Sequence, residues 1–81
     1  MKILVLGPGC QKCDYTKSLI DEVARELGIK AEVRQVRDVR EILEYAVMMT
    51  PAVIIDDEEV LVGRVPSKDE VRKWLISRRT G

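Results

Sequence analysis

Cys10 and Cys13 are the two cysteines of this chain, and Gln11 and Lys12 separate them. Two thiols with this spacing on the first turn of a helix can close a disulfide, and the amino end of a helix favours the thiolate that performs disulfide exchange. An apolar run and the Gly-Pro-Gly turn at 7–9 precede the motif, so a strand and a turn lead into it. The pattern therefore predicts a redox-active dithiol.

The two thiols are expected to have different roles. Cys10 is expected at the exposed amino edge of the helix, where backbone amides, the helix dipole and the nearby charge of Lys12 favour its thiolate. Cys13 falls one turn further along, on the apolar stripe of the same helix. We therefore expect Cys10 to attack a substrate disulfide, and Cys13 to resolve the mixed disulfide by closing a bridge with Cys10.

Buried structural thiols and half of a metal site are the alternatives to a redox pair. The chain has no histidine, and two thiols do not complete a four-ligand zinc site. A metal ion or an iron-sulfur cluster would need a second chain, or an outside ligand such as glutathione. We therefore expect no metal and no bound organic cofactor, while a dimeric cluster carrier that uses Cys10 stays an alternative.

Charge and composition narrow the class of protein. The 14 basic and 14 acidic residues cancel, so no net charge attracts nucleic acid or an anionic membrane. The apolar run at 3–6 is far shorter than a signal-peptide core or a membrane span, so we expect a cytoplasmic protein. In that reducing compartment a close cysteine pair favours catalysis over a structural disulfide. The chain contains no asparagine, and 35 % of its residues are charged. This composition is typical of thermophile proteins and predicts a source that grows at high temperature.

Hydrophobic periodicity predicts seven elements in one domain over 1–81. The first three are a continuous apolar strand at Lys2–Leu6, a helix from Gln11 to Leu27 with Gly28 as its left-handed cap, and a strand at 31–36. The others are a short helix that buries Val39, Ile42, Leu43, Ala46 and Val47, strands at 52–55 and 60–62, and a last helix with Val71, Trp74 and Leu75 on its buried stripe.

Local signals mark where these elements begin and turn. Asp38 with Glu41, and Ser67 with Glu70, have the spacing of capping boxes at the starts of the second and third helices. The acidic stretch at 56–59 joins the last two strands as a hairpin, and it contains no glycine, so its turn type stays open. A right-handed crossover makes the first two strands parallel neighbours, and the hairpin extends the sheet beyond the first strand. The predicted fold is α/β, with the order β-α-β-α-β-β-α, a four-stranded mixed sheet of order 2-1-3-4, and three helices that flank it.

The element order, the CxxC between the first strand and helix, and Thr50-Pro51 before the third strand resemble the thioredoxin fold in its short, glutaredoxin-sized form. The Gly-Pro-Gly-Cys-x-x-Cys start is similar to that of small archaeal and bacterial redox-active disulfide proteins. The resemblance implies an oxidoreductase that reduces protein disulfides in electron transport and cell redox homeostasis, with electrons from a thioredoxin-reductase-like donor. It also implies that Pro51 is a cis-proline against the cysteine pair, that the Thr50 backbone pairs with an extended substrate, and that Gly63 lies at the edge of the site.

The chain departs from the thioredoxin and glutaredoxin patterns in ways that leave its redox potential and its use of glutathione open. Gln11-Lys12 is neither the Gly-Pro spacer usual in thioredoxin nor the Pro-Tyr spacer usual in glutaredoxin, and the strand before the motif lacks a carboxylate. Gly63 stands alone where glutaredoxins carry two glycines. Met48 and Met49 fit core or loop positions, and the alternative for Met49, beside Pro51, is a flexible apolar contact for partners. We expect a monomer, and a non-catalytic interaction domain of the same fold is a third possible function.

Overall fold

The computed structural model describes residues 1–9, 11–47 and 49–78, so Cys10 and Met48 lie outside the described residues. Within them the chain follows the predicted order of strands and helices. The strands are β1 (Lys2–Leu6), β2 (Glu32–Val36), β3 (Ala52–Ile55) and β4 (Glu58–Val62), and the helices are α1 (Gln11–Glu26), α2 (Val39–Glu44) and α3 (Lys68–Arg78).

The four strands form one mixed sheet of order β2-β1-β3-β4, which confirms the predicted topology. β1 runs parallel to β2 and antiparallel to β3, and β3 runs antiparallel to β4. Leu6 at the end of β1 is level with Val36 at the end of β2 and with Ala52 at the start of β3. The turns that leave β1 and β2 therefore meet the loop that enters β3 at one edge of the sheet.

β1 supplies both hydrophobic cores because successive side chains of a strand point to opposite faces. Ile3 and Val5 join the larger core under α1 and α3, whereas Leu4 and Leu6 join a smaller core on the other face. All four side chains are at most 5 % exposed, which explains the unbroken apolar run in this strand. The larger core also contains Leu19, Ile20, Val23, Ala24, Val53, Ile55, Leu61, Val71 and Leu75, with Trp74 partly buried against it.

The predicted buried stripe of the second helix is wrong. α2 has only six residues, and Ile42 is its one buried side chain, while Val39 and Leu43 are 57 % and 66 % exposed. Ala46 adopts a φ of 57°, which is incompatible with a continuing right-handed helix, so Val47 reaches the smaller core from a loop. A repeat of i, i+3, i+4 and i+7 buries one stripe only in a helix of two or more turns.

The cap of α2 is also simpler than the predicted capping box. The Asp38 carboxylate accepts a hydrogen bond of 2.9 Å from the amide of Arg40 and caps the first turn.

The capping box of α3 is confirmed in both directions. The Ser67 amide donates to Glu70 Oε1 at 3.0 Å, and the Glu70 amide donates to Ser67 Oγ at 3.2 Å. The Arg64 guanidinium donates to both oxygens of the same carboxylate, at 2.7 Å and 2.6 Å. The hydrogen bonds from the Arg64 side chain, followed by the bond from the Ser67 amide, lower the pKa of Glu70 from 4.5 to about 2. The start of α3 is thereby joined to the end of β4.

The turn between β3 and β4 is of type I′, although it contains no glycine. Asp56 and Asp57 have φ values of 47° and 70°, the two positive values that a type I′ turn requires, and aspartate tolerates this region better than most residues. The Asp56 carboxylate accepts a hydrogen bond of 2.9 Å from the Lys2 amide, and the Asp56 amide donates to the Lys2 carbonyl at 2.9 Å. These bonds fix the turn to β1, at the end of the sheet opposite the CxxC motif.

Candidate functional site

Cys13 lies in the first turn of α1 with its side chain completely buried against the turn that leaves β1. Gly7 provides the space: a Cβ at this position would lie 2.8 Å from the Cβ of Cys13 and would overlap with Sγ. The Gly7 amide donates to the Val36 carbonyl at 2.9 Å, which fastens the turn to the end of β2. The buried thiol therefore packs directly against the backbone of Gly7, which follows the carboxyl end of β1.

Thr16 lies one turn after Cys13 on the buried face of α1. It is the buried polar side chain on this helix, at 0 % exposure, and its Oγ1 donates to the Lys12 carbonyl at 2.7 Å. A hydroxyl that bonds to its own helix in this way can be buried without an unsatisfied polar group. Thr16 thus packs as part of the apolar stripe that the sequence predicts.

The Thr50-Pro51 segment reaches the same place from the other side. Its peptide bond is cis, as the resemblance to the thioredoxin fold implies, and Pro51 is completely buried. Thr50 is exposed, and its Cβ lies 4.0 Å from the position of a Cβ at Gly7. Gly7 is thus the common neighbour of Cys13 and Thr50, two residues that lie 37 positions apart in the chain.

Gly63 and Met49 extend this edge beyond Pro51. The Gly63 amide donates to the Pro51 carbonyl at 2.9 Å, and Gly63 has a φ of 83° that favours glycine. A Cβ at Gly63 would lie 3.2 Å from the Cβ of Met49, so the two residues are in contact. The Met49 side chain is nevertheless 61 % exposed. The edge therefore carries an exposed apolar side chain beside the exposed Thr50.

Arg37 is a charged neighbour of the motif that sequence reasoning missed. It follows β2, and its Nη2 lies 3.2 Å from Asp14 Oδ1 on the first turn of α1. A Cβ at Gly9 would lie 2.9 Å from Arg37 Nη1, so the guanidinium covers the residue that precedes Cys10 in the sequence. The predicted topology could have identified Arg37. This residue follows the second strand, and the carboxyl ends of two parallel neighbouring strands lie at the same end of the sheet.

The structure gathers most of the residues that the sequence singles out. Cys13, Thr50, Pro51, Gly63 and Met49 follow one another around the edge where β1 and β4 end and β3 begins. Lys12 is exposed on the first turn of α1, where it adds positive charge near the motif. Cys10 lies outside the described residues; its chain neighbours are Gly9 and Gln11, the latter being the first residue of α1.

Metal sites and membrane spans are the other features that bear on function. Across residues 1–9, 11–47 and 49–78, no three Cys, Asp or Glu side chains come close enough to hold a metal ion. None of the helices in these ranges combines the length and apolar character that crossing a bilayer requires. The prediction that the protein holds no metal remains a prediction.

A mixed sheet of order β2-β1-β3-β4 with three helices, and a cis Thr50-Pro51 bond beside the buried Cys13, is the arrangement of a thioredoxin fold. The family model described as "Thioredoxin domain" matches residues 1–76. The chain therefore belongs to the thioredoxin family, and this membership supports a thioredoxin-like redox function.

The relatives agree with this assignment. The chain is 42 % identical to a thioredoxin of Methanocaldococcus jannaschii over 98 % of its own length and 91 % of the relative. It is 37 % identical to a thioredoxin of Methanothermobacter thermautotrophicus over 93 % and 97 %, and 27 % identical to a probable thioredoxin of Archaeoglobus fulgidus over 100 % and 91 %. These relatives come from thermophilic archaea, in agreement with the composition. The growth temperature of this chain's own source remains a prediction.

Proposed function

We propose that the protein is a cytoplasmic thiol-disulfide oxidoreductase that reduces protein disulfides with Cys10 as attacking thiol and Cys13 as resolving thiol. The observation that carries the proposal is the meeting of Cys13 and Thr50 at Gly7. A thiol there is shielded from solvent, yet it lies next to an exposed backbone segment where a partner can dock. A single domain that acts as a monomer is sufficient for this chemistry.

The reaction has two exchange steps. The Cys10 thiolate attacks one sulfur of the substrate disulfide, that bond breaks, and the other substrate sulfur leaves as a thiolate that takes a proton from water. Cys13 then loses its proton, attacks the sulfur of Cys10 in the mixed disulfide, and displaces the second substrate thiolate. The substrate gains two electrons and two protons, and the protein ends with a Cys10-Cys13 disulfide. A thioredoxin-reductase-like donor returns two electrons for the next cycle.

The burial of Cys13 suits the second step rather than the first. A thiol with no exposed surface is inaccessible to a bulky protein disulfide, so the sulfur of Cys10, three residues earlier in the chain, is the partner proposed for it. The strand before the motif supplies no carboxylate to take the proton of Cys13, since Ile3 to Leu6 are all apolar. The proton of Cys13 must therefore pass to water or to another group.

Partner recognition is proposed for the edge that Met49, Thr50 and Gly63 form. Thr50 precedes β3 and is exposed, so its backbone can pair with an extended substrate segment by β-strand addition. Met49 lies beside it and can adapt its unbranched side chain to different apolar residues of a substrate.

An insulin-reduction assay tests this function. The protein, supplied with dithiothreitol, should precipitate the insulin B chain faster than dithiothreitol alone, and the Cys10→Ser variant should lose the acceleration. Ser18→Ala, which removes an exposed hydroxyl from α1, is the matched control and should keep full activity. If Cys10→Ser retains the acceleration, or if the parent protein shows none and behaves as a non-catalytic domain, the proposed function is wrong.

A further inference from the structure

The loop that follows β4 borders the docking edge, the set formed by Met49, Thr50 and Gly63. Gly63 is the first residue of this loop, and its amide donates to the Pro51 carbonyl at 2.9 Å. A Cβ at Gly63 would lie 3.2 Å from the Cβ and 3.3 Å from the Sδ of Met49, so the two residues are packed together. The place of Gly63 therefore limits where the Met49 side chain can lie.

Arg64 fastens the other end of this loop to α3. The loop runs over 63–67, and Pro66 within it is buried. Arg64 Nη1 and Nη2 lie 2.7 Å and 2.6 Å from the two carboxylate oxygens of Glu70, in the first turn of α3. Two parallel hydrogen bonds fix the orientation of a guanidinium as well as its distance. We call this pair the Arg64-Glu70 clamp.

Glu70 is itself held in place, so the clamp has an ordered base. Its Oε1 accepts a hydrogen bond of 3.0 Å from the Ser67 amide, and its own amide donates to Ser67 Oγ. Because the pKa of Glu70 is lowered to about 2, first by Arg64 and then by the Ser67 amide, the carboxylate is ionised at neutral pH. One carboxylate thereby binds residues near both ends of the loop.

Stability does not account for the clamp. The side chains of Arg64 and Glu70 are 58 % and 34 % exposed, and ion pairs at such positions add little to folding stability, since water screens them and ordering them costs entropy. A docking edge that is ordered before binding, by contrast, spares the partner the entropy cost of ordering it.

We propose that Arg64 is a positioning residue for the docking edge: the clamp orders the 63–67 loop, so that Gly63 and Met49 meet an extended protein substrate in one arrangement. The inference rests on the proposed function, in which this edge receives the substrate. Arg64 acts through Gly63 rather than on the reacting sulfurs.

Removal of the clamp should weaken the binding of protein substrates and leave the thiol chemistry unchanged. We expect Arg64→Gln to raise KM for insulin about two- to fivefold, the range for a partner that must order one loosened side chain on binding, with kcat unchanged. The rate of reduction of a small aromatic disulfide should stay the same. Arg64→Lys keeps the charge but does not bind both oxygens in parallel, so it should recover only part of the loss.

Two further variants separate positioning from direct contact with the substrate. Glu70→Gln removes the clamp and keeps the charge of Arg64, and its amide oxygen can still accept the bond from Ser67, so KM should rise by a factor similar to that of Arg64→Gln. Adding Met49→Ala to Arg64→Gln should raise KM little beyond the larger single effect, because both changes act at one contact.

The test is the initial rate of insulin reduction at varied insulin concentration, at a temperature where every variant is folded. Arg72→Gln is the matched control, since Arg72 is an exposed residue of the same helix that pairs with Asp69 at 2.8 Å. A rise in KM for both Arg64→Gln and Glu70→Gln that exceeds the control supports the inference.

Equal KM values in Arg64→Gln and Arg72→Gln would overturn it. An unchanged or lower KM in Glu70→Gln would also overturn it, because Arg64 would then bind an acidic residue of the substrate directly. In either case insulin reduction by the parent protein would still support the proposed function.

Discussion

Gly7 and Cys13 are in direct contact: a Cβ at Gly7 would lie 2.8 Å from the Cβ of Cys13, and closer still to its sulfur. The absence of a side chain at Gly7 is therefore what seats the buried thiol at the end of β1. Thr50 approaches the same glycine from the loop before β3. A position that looks like part of an ordinary turn in the sequence is the point at which the two halves of the site meet.

Gly7→Ala should displace Cys13 and impair the second exchange step. Forcing a methyl group into this packed contact should destabilise the fold by about 1–3 kcal/mol, measured as a lower midpoint of denaturant unfolding. Insulin reduction should fall more than stability alone explains at a temperature where the variant is folded. Gly28→Ala is the control for lost stability: a φ of 67° makes alanine strained at this position, but the added Cβ meets nothing within 4 Å. Equal activity losses in the two variants would contradict a specific role of Gly7.

Met49→Ala should weaken the docking of protein substrates without changing the thiol chemistry. We expect KM for insulin to rise severalfold, because an apolar contact is lost, while the rate of reduction of a small aromatic disulfide stays the same. Ile76→Ala is the matched control, since Ile76 is also exposed and lies on α3 near Arg78, which contacts Glu58 at the other end of β4. A similar change in KM for both variants would argue against a docking edge at Met49.

The pKa of Glu70 predicts how stability depends on pH. Arg64 and the Ser67 amide lower it from 4.5 to about 2, so the folded protein holds this carboxylate ionised more strongly than the unfolded chain does. The contribution to stability is therefore present above about pH 4.5 and is lost as the pH falls towards 2. Glu70→Gln should flatten the melting temperature across this range, and Glu44→Gln should leave the slope as it is. A carboxyl titration by NMR that gives Glu70 an ordinary midpoint would contradict the assignment.

Two neighbouring residues of α2 should respond very differently to truncation. Ile42 is 6 % exposed and belongs to the smaller core, so Ile42→Ala should cost about 2–5 kcal/mol in the free energy of unfolding. Leu43 is 66 % exposed, so Leu43→Ala should change it by less than about 0.5 kcal/mol. Chemical denaturation of the two variants measures both values. Similar losses would mean that α2 packs as the apolar pattern alone suggests.

The difference between α1 and α2 shows where sequence patterns are informative. α1 has 16 residues, so its apolar stripe repeats often enough to identify the buried face, and Gly28 ends the helix with a φ of 67°. α2 has six residues, and its apolar pattern continues into Ala46 and Val47, which belong to a loop. A short repeat does not distinguish a helix face from a turn of helix followed by a loop that packs on its own.

The candidate site was predictable in its position and not in its contacts. Parallel pairing of β1 with β2 and antiparallel pairing with β3 bring the CxxC motif and Thr50-Pro51 to one edge, and both follow from the order of the elements. The contact of Gly7 with Cys13 and the placement of Arg37 over Gly9 depend on exact turn geometry. Gly7 and Cys13 are six positions apart and Gly9 and Arg37 are 28 apart, and neither spacing is a helix or strand repeat from which a contact could be predicted.

Capture of a mixed disulfide tests the central claim most directly. Cys13→Ser removes the resolving thiol, so an attack by Cys10 on a substrate disulfide should stop at a covalent adduct that non-reducing electrophoresis and mass spectrometry detect. Cys10→Ser should form no adduct, because the remaining thiol is buried. The account predicts accumulation of the adduct with Cys13→Ser and its release by dithiothreitol. If Cys13→Ser forms no adduct with a disulfide that the parent protein reduces, or if Cys10→Ser forms the adduct instead, the assigned roles of the two cysteines are wrong.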